Sequence, residues 1–140
     1  MIEKINLSLD FLKHQPYAYR AMTRFLLGFA SFLAVVGGLL HASAFRKALA
    51  AFASSNLHAF FGNSSKALWL SDSSTLIILG AIFGLIAIRP AVATGPVVML
   101  LSLIPAATAI LIYVFVGPFF AGHLLMTIAA AALVAGFRGK

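Results

Sequence analysis

The sequence contains no cysteine. Disulfides, thiolate nucleophiles, iron–sulfur clusters and cysteine-held zinc are therefore excluded. Acid is almost as scarce: three Asp and Glu stand against ten Lys and Arg in 140 residues, for a formal net charge of +7. Two of the three are Glu3 and Asp10, and Asp72 is the sole acidic residue beyond the N-terminal segment. No pair of carboxylates has a spacing that points to glycosidase chemistry. Charged residues of both signs make up 9% of the chain, where a soluble domain carries about 25%. Phosphate-binding P-loops, the HExxH zinc motif and the G-x-S-x-G elbow are missing too. The serine pairs Ser54-Ser55, Ser64-Ser65 and Ser73-Ser74 have no base set beside them by sequence, and a serine nucleophile needs one.

What remains is apolar. Hydrophobic residues are 62% of the chain and the mean hydropathy is +1.05. A chain this short suits one domain, 1–140. With so little charge it cannot cover its apolar surface in water, whereas lipid makes no such demand. The basic residues lie between apolar runs rather than along one stripe with stacking aromatics, so nucleic acid is not an expected partner. Membrane lipids, including anionic headgroups, are.

Residues 1–16 are the most polar segment. Ile2, Ile5, Leu9 and Leu12 recur at helical spacing, which predicts either an amphipathic surface helix or a frayed terminus, ended by Pro16. Tyr17, Tyr19, Arg20 and Arg24 read as interfacial anchors. About 20 apolar residues cross a bilayer core, and four stretches qualify: 25–44, 69–88, 91–116 and 119–137. A basic region before the first run and Ala42-Ser43-Ala44 within it resemble a signal peptide, but a leading region of 24 residues is long for one, and the expectation is a retained helix. Residues 45–68 are too short in apolar content to span and predict an interfacial or re-entrant helical segment, one or two short helices broken at Ser54-Ser55-Asn56 and turned at Gly62-Asn63. Pro96 and Pro105 fall in the third span, where Pro105 removes the donor for the Leu101 carbonyl and Ser102 or Thr108 is placed to compensate. Gly117-Pro118 predicts a tight turn. The fold class expected is an all-α membrane protein, a four-transmembrane-helix bundle.

Four spans put both termini on one side, with Lys4, Lys13, Arg20, Arg24, Arg89, Arg138 and Lys140, while Arg46, Lys47 and Lys66 lie opposite. The positive-inside rule then predicts cytoplasmic termini, in a bacterial inner membrane. Small residues form two candidate helix-packing ridges, Ala30, Ala34 and Gly38 in the first span and Gly80 and Gly84 in the second.

The same topology gives each helix one polar group at similar depth near the outer face: His41, Asp72, Tyr113 and His123. Asn56 and His58 stand near them in the outer loop. These four are the ligand-binding candidates. Asp72 reads either as a buried functional carboxylate or as a cap for the second span, within Ser71-Asp72-Ser73-Ser74. His41 and His123 are the candidate haem ligands, set against plain interfacial hydrogen bonding, and no local spacing marks a metal site. Tyr113 and Trp69 read as interface anchors. The functional expectation is a non-enzymatic accessory or scaffold subunit without a cofactor, packed against other membrane subunits or a second copy. The alternatives are a binding module for a lipid, quinone or other apolar ligand, and a haem or metal redox protein, each using the outer polar cluster.

Overall fold

The computed structural model describes the backbone of residues 2–138 and the side chains of residues 20–138. It is 89% helical and, among the described residues, has no strand. Five α-helices follow in order: α1 (Ile2–Ser43), α2 (Phe45–Ala53), α3 (Ala59–Ile88), α4 (Gly95–Phe115) and α5 (Phe120–Arg138), with a 3-10 turn at Pro90–Val92. Four segments are long and apolar enough to cross a membrane: Arg20–Ala53, Ala59–Ile88, Gly95–Phe115 and Phe120–Arg138.

Several boundaries differ from the sequence expectation. Pro16 lies inside α1 rather than at its end. A proline deletes one helical hydrogen bond and crowds one carbonyl, which bends a long helix without ending it. The expected helical segment over 45–68 divides between α2 and residues 59–68, which are the opening turns of α3 rather than a separate piece. Gly62-Asn63 does not turn the chain there, because each residue costs a helix only about 1 kcal/mol or less. The start is instead set by His58, whose Nδ1 accepts from the Phe60 N–H at 3.3 Å. Asp72 is consequently well inside α3 and caps nothing. Its neighbours Ser73, Ser74 and Thr75 all donate back to carbonyls four residues earlier. Pro96 stands in the first turn of α4, where its missing N–H is harmless and its fixed φ suits a helix start.

Pro105 is inside α4 and buried. The compensation expected for it does not take the expected form: Ser102 donates to the Met99 carbonyl at 2.6 Å and Thr108 to that of Ile104 at 3.0 Å, so neither reaches Leu101. The α4–α5 turn depends on Gly117, whose φ of +91° lies where a side chain would be strained. Its N–H closes on the Ile112 carbonyl at 3.1 Å, a helix-ending arrangement that glycine favours.

The helices pack side by side in the order α3, α1, α5, α4, and α3 barely touches α4. Lipid gives helices no hydrophobic reason to associate, so close backbone approach and interhelical hydrogen bonds must hold them. The α1–α3 contact has both. A Cβ on Gly38 would fall 2.9 Å from the Ser73 carbonyl oxygen, and one on Gly80 2.9 Å from that of Ser31. Gly84 faces the Ser31 hydroxyl, which donates to the Gly80 carbonyl at 2.7 Å. Ala30 and Ala34 are fully buried. At the α4–α5 contact, Gly136 meets Met99 and Gly95, and Gly122 meets the Tyr113 ring. Phe83 and Ile128 fill the middle of the shared core. The remaining faces of α3 and α4 carry exposed Ile78, Leu85, Leu100, Leu103 and Leu111, as lipid-facing helices do.

Candidate functional site

The polar residues expected near one membrane face form two pairs. On α1 and α3, His41 and Trp69 stack with centroids 4.2 Å apart and rings within 10° of parallel. The Trp69 indole N–H donates to the His41 carbonyl at 2.9 Å, which fixes the stack from the backbone. Phe52 of α2 closes edge-on against the same indole at 6.5 Å. Asp72 lies one turn beyond Trp69 and brings its carboxylate to 3.6 Å from His41 Nε2. That contact becomes an ion pair when the imidazole is protonated. This constellation joins three helices, and Trp69 is its hub. Trp69→Phe keeps the ring stack but removes the donor, and should lower stability by about 1 kcal/mol, the usual worth of such a bond. The check is the unfolding midpoint in a detergent titration.

On α4 and α5, the Tyr113 hydroxyl and His123 Nδ1 are 2.8 Å apart. The pair sits beside the Gly117 turn, and Gly122 makes room for the Tyr113 ring. Among the described residues no hydrogen bond or ion pair links Tyr113 and His123 to His41 and Asp72. Nor is any group of three or more His, Asp or Glu gathered as metal ligands would be, among those residues. His41 and His123 are each engaged by another side chain rather than by one another. The arrangement reads as two interhelical clasps near the α2 end of the bundle.

The concave site is at the opposite end. A pocket of about 570 Å³ opens where α1, α3, α4 and α5 meet the Pro90–Val92 turn. Leu27, Ile86, Val98 and Ala135 form apolar wall, and Arg20, Arg24 and Arg138 stand at it from α1 and α5. Each position follows from local folding. Arg20 and Arg24 are four residues apart and share a helix face one turn before buried Leu27. Arg138 ends α5, and its Nη1 reaches the Met22 sulfur at 2.6 Å. Gly95 brings the first turn of α4 to the pocket. The cap residue there, Thr94, makes no side-chain capping bond, so the positive end of a 21-residue helix is left uncapped by its own side chain beside the pocket.

Sequence reading assigned these arginines to anchoring and topology alone. One signal was there: two arginines at i and i+4 beside an apolar helix face. Their convergence with Arg138 depends on α5 lying against α1, which no local pattern announces. Comparison with protein-family models, with curated proteins and with solved structures finds no match, so the chain is described by its own geometry.

Proposed function

We propose that the protein is a non-enzymatic, membrane-integral binding module that seats an amphiphile in the pocket at the arginine-bearing end of the bundle. The observation that supports this is the pocket itself. Its volume of about 570 Å³ lies within the roughly 300–1,000 Å³ usual for ligand sites, and its apolar wall with a few converging polar groups has the usual composition. The site takes the part that sequence reading gave to His41, Asp72, Tyr113 and His123. Those four serve as clasps between helices. Both termini and the pocket face the cytoplasm in this proposal, as the excess of Lys and Arg at that end favours.

The accessory-subunit reading rested on small-residue ridges left over for partners. Gly38, Gly80 and Gly84 are engaged between α1 and α3, and Ala30 and Ala34 are buried. That motive is therefore weakened. Native mass spectrometry of protein taken from membranes in mild detergent should show one amphiphile per chain, removed by harsh detergent and restored by added lipid extract. Protein that carries none and takes none back would overturn the reading. A stoichiometric second polypeptide in place of lipid would return the argument to an accessory subunit.

A further inference from the structure

We propose that Arg20, Arg24 and Arg138 recognise a phosphate group, so that the ligand is a phosphate-bearing amphiphile with its headgroup at the arginines and its chain along the apolar wall. The proposal rests on the binding-module reading and specifies its ligand.

Charge is the first argument. Three arginines from two helices line one pocket, and guanidinium stays charged at any physiological pH. Among the described residues the one carboxylate is Asp72, which is spent on His41 at the other end of the bundle. Among the described side chains no acid stands at the three arginines, and like charges at one pocket favour an anionic ligand. Geometry is the second. Arginine offers paired N–H donors in a fixed fork that matches phosphate oxygens, and such bonds are roughly twice as strong as neutral ones. The start of α4 reaches the same pocket at Gly95 without a side-chain cap, and helix starts favour anions. The wall is the third argument. Pro90, Ala91 and Ala93, accessible over the buried Leu27, Ile86, Val98 and Ala135, give a phosphate ion no partner, but they suit the first carbons of an acyl or prenyl chain.

A phosphate can belong to a lipid headgroup or to a soluble molecule, and the test separates them. Delipidated protein in nonionic detergent is titrated with dioleoyl phosphatidic acid, with dioleoylglycerol and with inorganic phosphate, and occupancy is read by native mass spectrometry. Phosphatidic acid is expected to bind at least tenfold more tightly than dioleoylglycerol. Arg24→Gln should weaken phosphatidic acid about tenfold, the worth of one charge-assisted bond, with dioleoylglycerol unchanged. Arg24 is exposed, so this variant should fold as the parent does. Arg89→Gln, at the same end but outside the pocket, should weaken binding less than twofold. If it weakens binding as much as Arg24→Gln does, the attraction is that of a diffuse charged surface and the proposal is overturned. Equal affinity for phosphatidic acid and dioleoylglycerol also overturns it, while leaving the binding-module reading intact. Failure of both lipids to bind overturns it as well, and overturns the binding-module reading too if lipid extract also fails to bind. Displacement of phosphatidic acid by millimolar inorganic phosphate supports the phosphate chemistry and assigns it to a soluble source.

Discussion

Gly80→Val is expected to cost about 3 kcal/mol, the upper end of what overpacking usually costs, and to part α1 from α3. A Cβ at this position meets Val35 Cγ2 at 2.7 Å, the Ser31 carbonyl oxygen at 2.9 Å and the Val35 nitrogen at 3.0 Å. The first could rotate away. The other two are backbone, and clearing them requires the helices to separate. Separation also stretches the bond from the Ser31 hydroxyl to the Gly80 carbonyl, now 2.7 Å. In lipid there is no solvent penalty to push the pair together again. Gly28 makes the matched control, because a Cβ there has nothing within 4 Å. Gly28→Ala should be neutral or stabilising by up to about 1 kcal/mol. Unfolding midpoints in mixed micelles measure both, and equal midpoints for the two variants would show that close approach does not hold this contact.

Phe83→Ala should cost about 2 kcal/mol. Phe83 has no exposed surface and is the largest of the fully buried side chains. In soluble proteins the same truncation costs about 3–5 kcal/mol, part of it the return of apolar surface to water. A membrane helix that has lost its tertiary contacts still lies in lipid, so that part largely cancels. The cavity and the lost dispersion contacts remain. The contrasting variant is Phe115→Ala, since Phe115 is 81% exposed and its removal should shift the midpoint by less than about 0.5 kcal/mol. A Phe83→Ala midpoint as close to the parent as that would mean the centre of the bundle is soft enough to collapse around the gap.

The helical architecture was legible because the apolar runs are long and uninterrupted, and lipid accepts little else. Where the sequence misled, a weak local signal was read as decisive. Gly62-Asn63 looked like a turn, yet two modest helix penalties cannot stop a helix once His58 has capped it and an apolar run follows. Pro96 was counted inside a span because hydropathy does not register where a helix begins. Among the four polar residues, depth was reasoned from topology, and the structure joins them in two pairs. Whether they share an azimuth is another matter, because that depends on which helix neighbours which. His41 meets Asp72 because α1 lies on α3, and Tyr113 meets His123 because α4 lies on α5. The same order puts Arg138 at the pocket that Arg20 and Arg24 line. A residue pattern carries each helix's own face well, but the order of helices around a core is set by side-chain fit across all of them at once.

That order has a consequence for how the protein is made. Membrane helices enter one after another as the chain is synthesised, and α1 and α3 can clasp each other as soon as both are in place. α4 comes next and finds almost nothing to hold, since its contacts are overwhelmingly with α5 and hardly at all with α3. It must wait in lipid, with Pro105 inside it, for the final helix to arrive. α5 then wedges against α1 and α4 together, and its last turn delivers Ala135 and Arg138 to the pocket. The pocket is thus built mostly from α1, the end of α3 and the start of α4, and the last helical turn described closes it.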